Sequence, residues 1–305
     1  MYGIVDKSYA VSPSPLSSLS GKKFLIVGGT AGIGAALAKC ANNVGALVTV
    51  VGRTNRSVSP ITFVKCDLSS MKSCVSLVDS MDVSTFDYIA FTAGIVPGST
   101  KVTTEEGVEQ DMATSALSRV VMLRAMMSRL KPGVRVFNWG FPGSKGYMEK
   151  TNLADFNSEI KYAGGFGFTH MNTVAVNEAL VFFYASKGVE IYGLNPGLIA
   201  SGIRDSLHGG GCCGGCLEGI ISCFNPSADQ YINKLLPVLI SPTLSAHRGA
   251  FFSQAAKPIL PSPEFAATTS AVGPWMAAAE ALADKSLSNS TGASKAGLKL
   301  NTVEA

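Results

Sequence analysis

Glycines at fixed spacing form the clearest chemical pattern in the chain, in the segment Val27-Gly-Gly-Thr-Ala-Gly-Ile-Gly34. Gly28, Gly32 and Gly34 permit a tight turn and let a ligand approach the backbone closely. The turn joins a short apolar run to an alanine-rich, helix-forming stretch, which places a bound pyrophosphate at the positive end of the helix. We therefore predict a dinucleotide-binding turn made by Gly28, Thr30, Gly32, Ile33 and Gly34.

The second chemical signal is an arginine where a dinucleotide-binding fold usually carries an acidic residue. About 20 positions beyond the glycines, that carboxylate accepts a hydrogen bond from the ribose 2′-hydroxyl of NAD. At this place the chain reads Gly52-Arg53-Thr-Asn-Arg56. A guanidinium suits a 2′-phosphate through paired charge-assisted hydrogen bonds. Arg53 therefore favours NADP(H) over NAD(H); the alternative is that these are solvated loop arginines.

A third set of potential ligands lies in His208-Gly-Gly-Gly-Cys-Cys-Gly-Gly-Cys216. His208 with Cys212, Cys213 and Cys216 has the composition of a zinc site. No second pair stands at the spacing of a structural zinc site, and glycines flank the thiols. We therefore predict a flexible lid with free thiols near residues 201–226, and no metal.

Strand-like and helix-like segments alternate between residues 21 and 260. Short apolar runs predict buried strands at 23–28, 46–51, 61–66, 86–91, 134–137 and 189–194. Helical patterns cover 33–43, 73–81, 104–130 and 169–186. This alternation predicts an α/β fold, a Rossmann-type doubly wound parallel sheet in a single domain.

The two ends of the chain differ from this domain in composition. Residues 1–20 are rich in Ser and Pro and predict a flexible leader, without the basic start and apolar run of a secretory signal. Residues 261–305 form a C-terminal extension whose end, from Ser286, predicts a disordered tail. No run approaches the ~18 apolar residues of a membrane span. Seven cysteines, an odd number, suit reduced thiols, so we predict a cytoplasmic protein.

Composition excludes two further classes of protein. Hydrophobic residues make up 47% of the 305 residues and charged residues 15%, which is the reverse of a disordered chain. The net charge of +4 is not gathered into a basic stripe interleaved with aromatic residues. We therefore expect no nucleic-acid partner.

Several motifs together resemble the short-chain dehydrogenase/reductase family over residues 22–202. The glycine turn is similar to the family's TGxxxGIG motif, with Val27 in place of the threonine. Asp67-Leu68 resembles the Asp-Leu pair that contacts adenine, and Thr92-Ala93-Gly94 resembles the family's Asn-Ala-Gly. The resemblance implies cofactor contacts from Asp67, Leu68, Ala93 and Gly94.

The resemblance continues after the sixth predicted strand. Pro196 and Gly197 match the family's Pro-Gly pair, and Ser201 stands where a threonine commonly contacts the nicotinamide carboxamide and the phosphates. The segments 103–109 and Ser118-Arg119 further resemble fungal retinol-dehydrogenase-like members.

The Ser-Tyr-Lys set that the resemblance leads one to expect is incomplete. The serine position falls on Gly140 or Phe141, and Ser144 is the nearest hydroxyl. Counting back from Pro196, the tyrosine and lysine positions fall on Phe166 and His170. A register shifted by four residues recovers Tyr162 but still gives no lysine. Ser115 stands at the position of the family's supporting asparagine.

Tyr162 and His170 are therefore the predicted catalytic residues. Tyr162 serves as an acid in this interpretation, with His170, Lys161 or Lys145 as its partner, and a helix that begins early would place Tyr162 and His170 on one face. The alternatives are that both are ordinary structural residues, or that hydride chemistry is lost and only the nucleotide scaffold remains.

The resemblance implies an NADP(H)-dependent oxidoreductase of the ketoreductase or alcohol dehydrogenase type, acting on a small apolar carbonyl or alcohol. A non-redox cyclase or isomerase on the same scaffold, and an NADP(H)-sensing binding protein, are the alternatives.

One helix bears on assembly. Residues 171–185 are apolar around most of the circumference, so the helix is buried on both sides. The corresponding helix of the resembling family packs against another subunit, which implies a homodimer or homotetramer. The alternative is that residues 275–282 of the same chain cover it.

Overall fold

Parallel strands form a single sheet at the centre of the molecule. The computed structural model describes residues 10–56, 59–143, 146–199, 225–267 and 269–299. The strands are β1 Lys23–Val27, β2 Leu47–Gly52, β3 Thr62–Lys65, β4 Tyr88–Phe91, β5 Arg135–Trp139, β6 Glu190–Leu194, β7 Phe251–Phe252 and β8 Pro258–Ile259. Their order across the sheet is β3-β2-β1-β4-β5-β6-β7-β8. All neighbours run parallel except β8, which is antiparallel to β7. The predicted doubly wound α/β fold is confirmed.

Helices cover both faces of the sheet. The α-helices are α1 Gly32–Asn43, α2 Met71–Ser80, α3 Ser118–Met126, α4 Phe168–Ser186, α5 Ala228–Leu239, α6 Pro263–Ala267 and α7 Val272–Lys299. A π-helical turn, Met112–Leu117, leads into α3. Short 3₁₀ helices lie at Leu16–Leu19, Val83–Thr85, Met127–Arg129, Met148–Lys150, Leu153–Asp155, Pro242–His247 and Thr269–Ala271.

Alternate strand residues face two separate cores. In β1, Leu25 and Val27 pack with residues of α2, α3, α4 and α7. Phe24 and Ile26 of the same strand pack with residues of α1 and α5 on the other face. Successive side chains of a strand point to opposite faces, so a strand covered on both faces is apolar throughout. This is why the buried strands were recognisable as continuous apolar runs.

The structure differs from the predicted elements at three places. The single helix predicted over 104–130 is divided: a turn and an isolated bridge between Thr103 and Glu109 precede the π-helical turn and α3. The two-residue strands β7 and β8 are too short to produce a periodic signal. Helix α5 was not predicted, although Ser227 and Gln230 form a capping box at its start.

Described parts of both terminal segments pack on the domain, whereas residues 1–9 and 300–305 lie outside the described residues. In the segment interpreted as a flexible leader, Leu19 is fully buried and the Ser14 N–H donates to the Pro237 carbonyl oxygen at 2.8 Å. Helix α7 continues through the predicted start of the disordered tail, and Ser286 is fully buried there. Apolar contacts to α5 and to α4 fix these segments, and a local composition signal does not report such contacts.

Helix α7 covers α4. Trp275, Met276 and Ala279 belong to the same core as the α4 residues. The buried surface of α4 is therefore explained within one chain, and the homo-oligomer inferred from that surface stays a prediction. Among the described residues, no helix combines the length and the apolar character that crossing a membrane requires.

Candidate functional site

The predicted glycine turn follows β1 at the edge of the sheet where the strands end. Gly28 has φ +95°, and a Cβ there would lie 2.4 Å from the Ala93 nitrogen. A Cβ on Gly34 would lie 2.4 Å from both the Gly28 carbonyl oxygen and Thr92 Oγ1. Real Cβ atoms do not approach so closely, so only glycine lets α1 start this near to the ends of β1 and β4.

The first turn of α1 has the features of a phosphate site. Its N-cap residue is Ala31, which gives no side-chain hydrogen bond, so the first N–H groups of the helix are left for a ligand. Gly32 begins the helix at φ +52°. Thr30 packs on the end of β2, since a Cβ on Gly52 would lie 2.8 Å from its Cγ2. The residues present therefore fit a dinucleotide diphosphate.

The residues predicted to contact the adenosine half lie at the same edge of the sheet. Arg53 directly follows β2 and is exposed, and Asp67 follows β3. The Oδ1 atom of Asp67 accepts hydrogen bonds from the Ser69 N–H at 2.9 Å and from Ser69 Oγ at 2.7 Å. Leu68 is buried in the core. Because β1, β2 and β3 are neighbouring parallel strands, their carboxyl ends bring Arg53 and Asp67 to the side of the glycine turn.

A cavity of about 420 Å³ opens beside the turn, where the strand order reverses between β1 and β4. Ligands of open α/β sheets bind at this switch point. Five predicted cofactor residues lie in its wall, namely Ile33, Ala93, Gly94, Pro196 and Gly197. Much of the remaining wall is apolar and includes Val96, Trp139, Phe141, Phe166, Met171, Val174 and Leu198.

Hydrogen bonds fix the segment after β6 that closes one side of this cavity. Gly197 has φ +59°, and its N–H donates to Asn195 Oδ1 at 2.9 Å. Asn195 Nδ2 donates to the Pro142 carbonyl oxygen at 2.8 Å. Ser201, together with the whole Cys212–Cys216 segment, lies outside the described residues.

The expected serine and tyrosine positions of the Ser-Tyr-Lys set carry no hydroxyl. Gly140 lies in the cavity wall, where a Cβ would meet Asn177 Cβ at 3.4 Å. Phe166 also lies in the wall, is 54% exposed, and places its ring centre 5.7 Å from that of His170. Ser144 and Lys145 lie outside the described residues. A phenyl ring can neither donate nor accept the proton that this position would handle.

The contacts of Tyr162 do not support its predicted role. Helix α4 begins at Phe168, so Tyr162 precedes the helix and shares no helical face with His170. Its hydroxyl donates to the Gly98 carbonyl oxygen at 2.8 Å, and Tyr162 is not part of the cavity wall. Burial raises the pKa of Tyr162, and the nearby carboxyl groups of Glu109 and Asp111 raise it further. An acid working near neutral pH needs the opposite shift.

His170 lies in the cavity wall and is held by an aspartate that sequence reasoning missed. Its Nδ1 lies 2.7 Å from Oδ2 of Asp111, whose side chain is fully buried. Burial lowers the pKa of His170, but the charge and hydrogen bond of Asp111 outweigh it, so the pKa is raised overall. The two residues are 59 positions apart. A weak signal existed, since Asp111 lies one helical turn before Ser115, which the resemblance had singled out.

A buried arginine lies beneath the cavity. Both terminal nitrogens of Arg119 donate to neutral oxygens: Nη1 to Asn138 Oδ1 and Asn177 Oδ1, each at 2.9 Å, and to the Trp139 carbonyl, and Nη2 to the Ala93 carbonyl. Burial lowers the pKa of Arg119. These bonds join the ends of β4 and β5 to α4, so Arg119 fixes the floor of the cavity.

The loop after β5 is tied to α4 by a second buried group. Glu178 is fully buried and accepts hydrogen bonds from Tyr147 Oη at 2.6 Å, from the Ser262 N–H at 2.5 Å and from the Gly143 N–H at 3.2 Å. Tyr147 also forms part of the cavity wall. Glu178 of α4 therefore anchors, at Gly143 and at Tyr147, the loop that carries Gly140 at the expected serine position.

Comparison with known proteins agrees with this arrangement. The family model described as short chain dehydrogenase matches residues 22–136. An uncharacterized oxidoreductase of Saccharomyces cerevisiae is 36% identical over 281 residues, which cover 87% of this chain and 88% of that protein. The chain belongs to the short-chain dehydrogenase/reductase family, whose members bind nicotinamide cofactors.

Solved structures of low sequence identity share the fold. An aldohexose dehydrogenase of Thermoplasma acidophilum superimposes with a TM-score of 0.59 at 13% identity, covering 79% of this chain and 95% of that one. A 3-oxoacyl-(acyl-carrier-protein) reductase of Agrobacterium tumefaciens, solved with NADP bound, gives 0.57 at 17% identity and covers 81% and 96%.

Nothing in the described part of the chain gathers three or more His, Cys, Asp or Glu side chains into a metal-binding group. The described cysteines, Cys40, Cys66 and Cys74, are free thiols.

Proposed function

We propose that this chain is an NADP(H)-dependent short-chain oxidoreductase that interconverts a small apolar carbonyl compound and its alcohol. One observation carries the proposal: a single cavity has both predicted cofactor residues, including Gly94 and Pro196, and the imidazole of His170 in its wall. Cofactor and substrate would therefore meet beside a group that can transfer a proton. The apolar wall favours a substrate with little charge.

The preference for the phosphorylated cofactor rests on Arg53. It stands at the end of β2, is exposed, and replaces the carboxylate that would repel a 2′-phosphate. A fold relative, the Agrobacterium reductase, was solved with NADP bound.

The bound nicotinamide would supply the hydride. The apolar side chains of Phe166 and Trp139 lower the polarity of the cavity wall, which would strengthen charge interactions beside a bound substrate. His170 would give a proton to the carbonyl oxygen during reduction and take it back during oxidation. Arg119 and Asn177 hold the end of β5 in place.

A cofactor titration with a charge-reversed variant tests the proposal. We expect the wild type to bind NADPH at least tenfold more tightly than NADH, because about 1.4 kcal/mol corresponds to a factor of ten and a charge-assisted bond contributes about 1.5–3 kcal/mol. Arg53→Glu should lose this preference. Lys234→Glu, the same charge change on an exposed position of α5, should keep it. Equal effects of the two variants, or no binding of either cofactor, would contradict the proposal.

A second function is favoured by one specific observation. An Asp–His pair next to an apolar cavity can move protons without any hydride, as a non-redox isomerase or cyclase requires. Stoichiometric consumption of NADPH with a panel of ketones and aldehydes distinguishes the two. Product formation with no net change in NADPH would favour the isomerase.

A further inference from the structure

We infer that Asp111 is the positioning residue of the site, holding the His170 ring in its protonated form with Nε2 toward the cavity. The imidazolium is then the acid during reduction, and the neutral imidazole is the base during oxidation of the alcohol. This inference rests on the proposed function for its chemistry. It assigns Asp111 a part in the site that neither the sequence motifs nor the comparisons give it.

The Asp111 carboxylate is fixed from both sides. One oxygen, Oδ2, lies 2.7 Å from His170 Nδ1. The other, Oδ1, accepts a hydrogen bond from the Ser115 hydroxyl. Ser115 Oγ in turn accepts a hydrogen bond from the Ile95 N–H at 3.0 Å. A carboxylate bonded in this way cannot rotate away from the imidazole. This series of hydrogen bonds, which runs from the Ile95 N–H through Ser115 and Asp111 to His170, therefore determines the orientation of the imidazole ring.

The remaining ring nitrogen of His170 is left for a ligand. Among the described residues, Nδ1 makes the only hydrogen bond of the ring. The ring lines the cavity, and 14% of the side chain is exposed. Because Nδ1 faces the buried Asp111, Nε2 is the nitrogen that can face the cavity. A histidine with a purely structural role would have both nitrogens satisfied or turned to bulk water.

The backbone that carries Asp111 and Ser115 is unusual. Asp111 precedes the π-helical turn Met112–Leu117, and Ser115 lies within it. A π-helical turn hydrogen-bonds five residues apart, is rare, and occurs frequently at functional sites. The Glu109 carboxylate accepts a hydrogen bond from the Met112 N–H at 2.8 Å at the start of this turn. The irregular turn thus coincides with the two residues that hold His170.

Charged groups around the pair act in known directions. The carboxylates of Asp111 and Glu109 favour the charged imidazole, whereas burial disfavours it. The positive charge of Lys101 opposes the rise in the pKa of Glu109. The charges of Glu109 and Asp111 raise the pKa of Tyr162. Lys150 lies in the cavity wall. The charge of Asp111 opposes the fall in the pKa of Arg119 that burial causes, but Arg119 donates its hydrogen bonds to neutral oxygens. Removal of the Asp111 charge would leave burial dominant, and the pKa of His170 would fall.

The proton and electron balance of the step is complete. During reduction the bound nicotinamide would supply a hydride to the carbonyl carbon, and His170 Nε2 would give its proton to the carbonyl oxygen. The cofactor is oxidised, the substrate is reduced, and the neutral imidazole takes a new proton from solvent. Oxidation of the alcohol reverses each transfer.

Nuclear magnetic resonance of the free protein tests the pair without any turnover. The chain has three histidines, so the ring of His170 can be assigned by comparison with His170→Gln. We expect a His170 titration midpoint above that of an unstructured histidine peptide in the wild type, and below it in Asp111→Asn. Glu105→Gln, which removes an exposed carboxylate nearby, should leave the midpoint unchanged. A midpoint that is the same in the wild type and in folded Asp111→Asn would overturn the inference.

Asp111→Asn is a buried change that can prevent folding, so the wild type provides a second measurement. Nitrogen-15 shifts of the ring distinguish a charged imidazole from either neutral tautomer. We expect the charged form near neutral pH, with the Nδ1 proton in a hydrogen bond. A His170 that is neutral across the range in which an ordinary histidine titrates would also overturn the inference.

Steady-state kinetics then separates this inference from the proposed function. Loss of a general acid lowers kcat by about 10²–10⁴-fold. We expect a loss of kcat in this range for His170→Gln and near its lower end for Asp111→Asn. The NADPH dissociation constant should stay unchanged in both variants. The pH above which kcat declines should move down in Asp111→Asn. If the wild type and Asp111→Asn turn over substrate with the same pH profile, the role of Asp111 is refuted and the proposed oxidoreductase function is not affected. Absence of NADPH binding in the wild type would refute the oxidoreductase, while the resonance titration still decides the pair.

Discussion

Phe166, two residues before α4, and His170, in the first turn of α4, contribute different groups to the cavity wall. The phenyl ring packs edge-on against the imidazole, with 77° between the ring planes. It contributes an apolar surface but no proton. The lower the polarity around the imidazole, the stronger its interaction with the Asp111 carboxylate becomes. The proposed proton transfer therefore depends on the His170 ring and its partner Asp111.

Replacement of Tyr162 by phenylalanine tests the other predicted acid. Its hydroxyl bonds to the Gly98 carbonyl outside the cavity, so we expect Tyr162→Phe to change kcat by less than about threefold, which is under 1 kcal/mol of barrier. His170→Gln measured in the same assay is the comparison. A hundredfold loss in Tyr162→Phe together with an unaffected His170→Gln would return the proton donor to Tyr162.

Helix α7 provides the outer cover of one face of the sheet. Its buried residues recur at helical spacing on one side, from Trp275 through Ala279 to Ser286. Trp275 packs against Phe156 with ring centres 6.0 Å apart, and Arg124 of α3 pairs with Asp284 at 2.8 Å. Because α7 lies on α4, an oligomer of this chain would need a different surface or would have to displace α7.

Two serines in the middle of α7, Ser286 and Ser288, give a matched pair of variants. Ser286 Oγ donates to Glu106 Oε2 at 2.9 Å, and the same carboxylate accepts the Met71 N–H at 2.6 Å at the start of α2. Ser286→Ala should lower the free energy of unfolding by about 1–2 kcal/mol, because a buried carboxylate loses a donor. Ser288→Ala, at an exposed position two residues on, should change it by less than about 0.5 kcal/mol. Urea unfolding measures both, and equal effects would show that α7 does not dock there.

Several buried acids make the stability of the whole molecule depend on pH. Burial and the nearby Asp111 carboxylate raise the pKa of Glu109 to about 7. The folded state then binds a proton that the unfolded state has released, so this contribution is present at low pH and is lost as the pH rises to about 7. The raised pKa of His170 acts in the same direction. The pKa values of Asp87 and Asp155 are lowered, so their contribution is lost at acid pH instead.

Glu109→Gln tests the contribution of Glu109. The amide mimics the protonated acid, so we expect a flatter stability profile between pH 5 and pH 8 and a gain of about 3 kcal/mol at pH 8 relative to the wild type. Glu105→Gln, at an exposed position, should follow the wild-type profile. Thermal unfolding at several pH values gives the comparison. A Glu109→Gln profile parallel to that of the wild type would mean that Glu109 is already ionised at low pH.

The amino-acid sequence by itself determined the α/β sheet, the glycine turn and the edge at which Arg53 and Asp67 meet. These features arise from local periodicity and from the rule that the carboxyl ends of parallel strands share one edge. It also showed that Gly140 and Phe166 leave the expected catalytic positions without hydroxyl groups. Each of these conclusions needs only neighbours along the chain.

Only the tertiary structure decided which residues meet across long separations. Asp111 reaches His170 from 59 positions away, Tyr162 turns to Gly98, and Ser286 reaches Glu106 from 180 positions away. A buried carboxylate must find a partner, but local patterns do not say which one, because packing of distant elements makes that choice. For the same reason the apolar α4 could not reveal whether its cover is a second subunit or α7.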